Sequence, residues 1–200
     1  MQLRYSPTSP YVRAVLVTAH ELGLEDRIER IATNPWDPST DLGRTNPLSK
    51  VPTLITDDGE ILFDSRVICA YLAAQAPGHD LDPAATRWAV QRRVALANGL
   101  LDAAILRRLE LARPDGERSA GWASRQAAAV ARSLDALEGE CTELAGGGPR
   151  LDQIVAGCAL AYLDFRFGAE PWRPDRPSLA SWFAAWSERP SMTATEPPAA

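Results

Sequence analysis

Apolar residues recur at helical spacing early in the chain, at Val12, Val15, Leu16, Ala19 and Leu22, so one face of a helix is hydrophobic there. Ser9 suits its N-cap, Pro10 its first position and Gly23 its close. Met1 to Tyr5 reads as a short strand, and Arg27 to Ala32 alternates weakly, as a half-buried strand does. Asn34 to Thr45 is polar and irregular apart from Trp36 and Leu42. Two short apolar runs follow, Thr53 to Thr56 and Ile61 to Phe63. Asp57-Asp58-Gly59 lies between them and predicts a hairpin with a tight primed turn, because Asp-Gly supplies positive φ readily. Asp64-Ser65 then opens a helical pattern to about Ala76, with Val67, Ile68, Tyr71 and Leu72 on its buried face. The order of elements is βαβ followed by ββα.

Pro77-Gly78 ends this first unit, residues 1–77. Asp82 as cap and Pro83 in the first turn begin a second, residues 83–200, in which every periodic segment is helical. Ala84 to Ala112 is one long helix. After the break at Pro114-Asp115-Gly116, Ser119 to Leu144 is another, with Trp122, Val130, Leu134 and Leu137 as its inner stripe. Gly146-Gly147-Gly148-Pro149 breaks the pattern again. About Asp152 to Phe167 is apolar on most sides, which marks the centre of a bundle. Ser178 caps a last short helix carrying Leu179, Trp182, Phe183 and Trp186. Trp88, Trp122, Trp172, Trp182 and Trp186 are read as core, and the chain from Ser191 on as a tail with little to order it.

Composition narrows the function. A hydrophobic content of 46% suffices for a core, and the net charge of −5 argues against nucleic acid and anionic membrane surfaces as partners. No apolar run approaches a membrane span, and MQLRYSPTSP lacks the apolar centre of a signal peptide, so the expected location is cytoplasmic. The three cysteines, Cys69, Cys141 and Cys158, form no CxxC, and His20 and His79 are isolated. No metal site or disulfide framework is expected, and Cys69 and Cys158 read as small core residues.

The chemistry concentrates between Asn46 and Ile68. Pro52 stands just ahead of a strand, where proline is tolerated. A cis Val51-Pro52 bond, expected here, would turn the Val51 N–H and C=O outward, toward an extended peptide. Asp64-Ser65 places a carboxylate and a hydroxyl at a helix N-terminus beside unpaired N–H groups. Together these can take the amine and the carboxylate of an amino-acid-like ligand.

NPLSKVPTL followed by ILFDSRVI resembles the glutathione-binding half of the soluble glutathione S-transferases. QIVAGCALAYLDFRF resembles that family's buried core helix, and LASWFAAWSERPSM its closing helix, with an ERPS phrase common in bacterial members. The resemblance implies an α/β thioredoxin-like N-terminal domain followed by an all-α helical-bundle domain that contributes a second-substrate pocket. Arg92, Asn98, Asp102 and Arg107 are the polar residues on the helix nearest that pocket. In one respect the chain departs from the family. Where a Ser/Thr-x-x-Asp box usually opens the core helix, this chain has Arg150 and Gln153. Gln153 can still reach back, Arg150 cannot accept a hydrogen bond, and Asp152 is the candidate shifted cap.

The resemblance also implies roles. Val51 pairs with the cysteinyl backbone of glutathione beside cis-Pro52, Asp64 and Ser65 hold its γ-glutamyl end, and Lys50 pairs with its glycyl carboxylate. Asn46 shapes the turn with Pro47. Ser9, in the phrase SPYVR, resembles the catalytic serine of Ser-type members; from pattern alone it is an N-cap. A hydroxyl and a helix N-terminus can both stabilise a thiolate. Ser6 and Tyr5 are alternative hydroxyls. The implied activity is conjugation of glutathione, as co-substrate, to small hydrophobic electrophiles, a detoxification chemistry, in a homodimer. Glutathione-dependent reduction or dehalogenation is an alternative, weakened by the lack of cysteine at position 9. A non-catalytic glutathione-binding or assembly module is another.

Overall fold

The computed structural model describes residues 1–198. The chain divides into two compact units, Met1–Leu81 with Arg189–Ala200, and Asp82–Glu188.

In the first unit, β1 (Gln2–Tyr5) leads into α1 (Pro10–Glu21), and β2 (Glu29–Ala32) into the one-turn α2 (Leu42–Thr45). The hairpin strands β3 (Thr53–Ile55) and β4 (Ile61–Leu62) then precede α3 (Ser65–Ala74). The sheet order is β2-β1-β3-β4. β1 and β2 are parallel because α1 carries the chain back between them; β1–β3 and β3–β4 are antiparallel. Leu3 and Leu54, opposite each other, are fully buried with Val15 and Val17 of α1 and Ile68 and Leu72 of α3. This is the expected thioredoxin-like βαβ-ββα arrangement.

Several local expectations fail. The hairpin has no primed turn: a turn closes from the Gly59 N–H to the Thr56 C=O, and among Asp57, Asp58 and Gly59 only the glycine has positive φ, +86°. This is a wider loop than a two-residue turn, and the Thr56 hydroxyl, accepting from the Glu60 N–H, braces it. Val67 is 47% exposed, and Cys69 takes its place on the buried face of α3. The Thr18 hydroxyl donates to the Cys69 sulfur at 3.3 Å, and burial pushes the Cys69 thiol pKa up to about 12. Cys158 is likewise buried.

The second unit is all helix: α4 (Arg87–Leu111), α5 (Ala120–Gly139), the short α6 (Cys141–Ala145), α7 (Leu151–Phe167) and α8 (Pro177–Ser187). The single helix expected from Ser119 to Leu144 is broken at Glu140, whose carboxylate Arg92 grips with both arms at 2.7 and 2.5 Å. Trp88 and Trp122 are exposed, against expectation, while Trp172 and Trp186 are buried. α7 is the core helix: Leu151 through Leu160 are all buried.

The departure at the start of α7 resolves into a different cap. The Gln153 side chain accepts from the Arg150 N–H at 2.9 Å, and the Asp152 carboxylate accepts from the Gln153 N–H at 3.0 Å. Arg150, unable to accept, donates instead to the carbonyls of Glu143, Leu144 and Gly146, closing the C-terminal end of α6. Asp152 is fully buried, and the Arg93 Nε donates to it at 2.6 Å.

Further along α7, Gly157 faces the Trp186 ring so closely that a Cβ there would stand 2.4 Å from the indole Nε1. Gly157→Ala is expected to lower stability by about 1–3 kcal/mol, through overpacking of a full core. Denaturant unfolding checks this, and a change smaller than a few tenths would mean that Trp186 moves aside freely.

The C-terminal segment is the largest correction. Residues from Arg189 on, assigned to the helical domain on sequence, pack with the first unit and form a short helix there, α9 (Pro190–Thr193). Ser191 and Met192 are each 1% exposed, so this part of the chain is no loose tail. Arg189 clasps Glu21 of α1 at 2.7 and 2.6 Å, the Ser191 hydroxyl donates to the same carboxylate, and Arg13 donates to the Met192 carbonyl at 2.9 Å. Burial alone would raise the Glu21 pKa, but the hydrogen bonds from Arg189 and Ser191 outweigh it and hold the carboxyl below its usual range. A depressed carboxyl pKa contributes stability above the unfolded value, and that stability is lost as pH falls through the folded one. Glu21→Gln is therefore expected to flatten the acid limb of the stability–pH curve and to speed hydrogen exchange in α9. An unchanged acid limb would assign the acid sensitivity elsewhere.

Candidate functional site

The sheet register gathers the expected site residues at one end of the first unit. β1 leaves the sheet at Tyr5, beside the start of β3, because Arg4 stands opposite Thr53. β4 leaves at the same end, because Leu62 stands opposite Leu54. The loop to Ser9, the Lys50-Val51-Pro52 approach to β3 and the Asp64-Ser65 entry to α3 thus all lie at that end of the sheet.

Ser9 caps α1. It is half-buried, its extended backbone (φ −82°, ψ 121°) fits an N-cap, and its Oγ accepts from the Val12 N–H at 3.3 Å. Because the oxygen accepts this bond, the hydroxyl proton is left to donate. Ser6 sits one turn earlier, its carbonyl accepting from the Ser9 N–H at 3.1 Å. Tyr5 ends β1, half-buried, with its carbonyl taking the Thr33 N–H.

The approach to β3 is held rigidly by a side chain. Asn46 is 1% exposed. Its amide donates to the Lys50 carbonyl and to the Thr53 hydroxyl, both at 3.0 Å, and its carbonyl accepts from the Leu48 N–H. The Thr53 hydroxyl donates to the same Lys50 carbonyl at 2.9 Å. Asn46 therefore does more than start a turn, and Thr53 is a support not singled out from the sequence; a buried Thr at the first strand position was the available signal. The Val51–Pro52 bond is cis, as expected. Pro52 is buried, Val51 half-buried and Lys50 exposed. No turn or loop hydrogen bond among the described residues uses the Val51 N–H or C=O.

Asp64 caps α3, its Oδ1 accepting from the Arg66 N–H at 3.0 Å, and its side chain is 53% exposed. Its other oxygen, Oδ2, stands 3.5 Å from the Arg66 guanidinium in an exposed, loose ion pair. Ser65 behind it is 5% exposed. An exposed carboxylate, first-turn N–H groups and a hydroxyl within two consecutive residues can bind an ammonium and a carboxylate together.

Of the polar residues on α4, Arg92 is engaged with Glu140, Arg107 with Glu170 at 2.8 and 2.9 Å, and the Asn98 amide with the Val94 carbonyl. Asp102 is exposed.

Residues 8–75 match the family model of the glutathione S-transferase N-terminal domain, and residues 120–185 that of its C-terminal domain. The Escherichia coli K12 protein described as an uncharacterized GST-like protein, YibF, is 36% identical over the whole of both chains. Among solved structures, a glutathione transferase family member from Pseudomonas fluorescens Pf-5 with bound glutathione is 42% identical, with a TM-score of 0.94 over 98% of each chain. A glutathione S-transferase from Methylobacillus flagellatus KT with glutathione bound is 35% identical, with a TM-score of 0.92 over 98% of each chain. The chain belongs to the glutathione S-transferase superfamily. Its fold is the thioredoxin-like domain plus helical domain of that family, and no helix among the described residues is long and apolar enough to cross a membrane.

Proposed function

We propose that this protein is a Ser-type glutathione transferase. Glutathione lies along the end of the first unit, its cysteinyl backbone paired with the Val51 N–H and C=O. Its γ-glutamyl end meets Asp64 and Ser65, and its glycyl carboxylate meets Lys50. The Ser9 hydroxyl donates to the sulfur, and with the α1 N-terminus it favours the thiolate. The thiolate then attacks a small hydrophobic electrophile, and the rate gain comes from ionisation and proximity. The observation that carries this reading is the convergence of the Ser9, Val51 and Asp64-Ser65 stretches at one end of the sheet. The Pseudomonas fluorescens relative, solved with glutathione and also with S-(propanoic acid)-glutathione, supports it. The protein works in the cytoplasm, in keeping with three buried cysteines.

The test is calorimetric titration with glutathione, followed by a panel of aryl halides, epoxides and unsaturated carbonyls assayed with glutathione. Saturable binding with turnover of one class is expected. Binding without turnover would make the protein a glutathione-binding module, and no binding would remove the reading. A homodimer is also proposed. Light scattering at micromolar concentration should give twice the 21.7 kDa chain mass, and a monomer mass would end that part.

A further inference from the structure

Arg13 closes the first turn of α1, where the helix dipole disfavours a cation. Helix formation alone therefore does not call for an arginine there. Its guanidinium is directed at the C-terminal segment of the same unit. Nη2 donates to the Met192 carbonyl at 2.9 Å and Nε to the Thr195 hydroxyl at 3.4 Å. The Thr195 oxygen is turned to receive it, because its own proton goes to the Ser191 carbonyl at 2.7 Å. Ser191 and Met192 are almost fully buried, so Arg13 is anchored on packed chain.

The backbone of the same residue holds Ser9. The Arg13 N–H donates to the Ser9 carbonyl at 3.0 Å, the bond that opens the i→i−4 ladder of α1. The Val12 N–H reaches the Ser9 Oγ at 3.3 Å, a long bond for a cap. Helix ends fray, and an outside tie to the first turn steadies one. Here a continuous path runs from Ser9 through Arg13 to Met192. A second tie lies about two turns, or 12 Å, further along the helix axis, where Arg189 and Ser191 hold Glu21. Between Arg189 and Thr195 the chain covers that span in the reverse direction. It is a strap laid along α1 and fastened at both ends.

We propose that Arg13 is a positioning residue for Ser9. By tying the first turn of α1 to the strap, it fixes the point from which the Ser9 hydroxyl donates. The inference rests on the Ser-type reading above. A hydrogen bond weakens steeply once its geometry slips, so a loosened first turn costs the thiolate part of its stabilisation. The backbone of glutathione is met by Val51, Asp64 and Ser65, which stand on other elements. Loosening the strap at Arg13 therefore acts on thiol ionisation and hardly on binding. Loosening it at Glu21, about three turns from Ser9, costs stability alone.

The experiment follows thiolate absorbance against pH in the full chain saturated with glutathione, with glutathione Kd and melting measured beside it. Arg13→Met is expected to raise the pH of ionisation by about half a unit to one unit, and to change Kd less than about twofold. Glu21→Gln should lower melting and leave the pH of ionisation where it is. In a Ser9→Ala background Arg13→Met should add almost nothing, because it acts through that hydroxyl. Should Arg13→Met unfold, Arg13→Lys, which can reach one acceptor in place of two, should show a smaller rise. The proposal is overturned if Ser9→Ala raises the pH of ionisation and the Arg13 variants do not. It is overturned too if the Ser9 and Arg13 effects add in full, or if Glu21→Gln moves ionisation as far as Arg13→Met does. A flat response to Ser9→Ala, with glutathione still bound, would overturn the Ser-type reading itself and this proposal with it.

Discussion

Ser9→Ala is expected to slow glutathione conjugation about ten- to a hundred-fold while leaving glutathione affinity nearly intact. A hydrogen bond to a charged partner contributes roughly 1.5–3 kcal/mol, and here it would act on the thiolate rather than on binding. The groups proposed to supply affinity, Val51, Asp64 and Ser65, are untouched by the change. The pH at which the bound thiol ionises should rise, which thiolate absorbance reads directly. Loss of the bond from the Val12 N–H also removes an N-cap, at about 1 kcal/mol, so melting is measured beside activity. Ser6→Ala should change neither rate nor ionisation. Ser9→Cys should exchange conjugation for a mixed disulfide with glutathione, because a thiol at a helix N-terminus ionises readily. Full activity in Ser9→Ala with loss in Ser6→Ala or Tyr5→Phe would move the role to the other hydroxyl.

The largest stability effect should come from Asp152. Its carboxylate is fully buried, takes the Arg93 Nε at 2.6 Å and the Arg150 Nε at 3.1 Å, and caps α7 through the Gln153 N–H. Asp152→Ala leaves the Arg93 guanidinium, itself 5% exposed, without its closest partner, since its contact with Glu140 is long at 3.5 Å. Stranding a buried charge costs about 3–5 kcal/mol, which for a chain of this size lowers Tm on the order of 10 °C. Arg93→Met combined with Asp152→Leu should recover much of that loss, because the buried charge goes with its partner. If the single variant loses under about 1 kcal/mol, water or Glu140 serves Arg93 well enough, and the pair is incidental to the fold.

These two residues mark what could be read from the chain. Ser9 was legible because helix starts are local: a small hydroxyl residue, a proline and an apolar period announce one within a few positions. The same holds for α7, whose all-round apolar character placed it at the centre, and for Asp152 as the candidate shifted cap. The partnership of Asp152 with Arg93 was not legible, since nothing local ties positions 59 residues apart. Trp88 and Trp122 misled because an aromatic residue signals apolar surface without saying which face of a helix it occupies. The segment after Arg189 read as a tail for a similar reason: its order depends on Glu21, 168 residues earlier. At the candidate site, the separate stretches were legible, and resemblance ordered them. Their convergence needed the strand register, and the Asn46–Thr53 brace behind Val51 needed coordinates.

The return of the chain at Arg189 makes the helical unit an insertion rather than an appendage: it leaves the first unit after Leu81 and re-enters it at Arg189. The first unit is therefore discontinuous in sequence. A fragment ending at Leu81 would hold every strand of the sheet yet lack both partners of Glu21. A faithful miniature of that unit would splice residues 1–81 through a short linker to residues 189–198, with the whole helical unit excised between them.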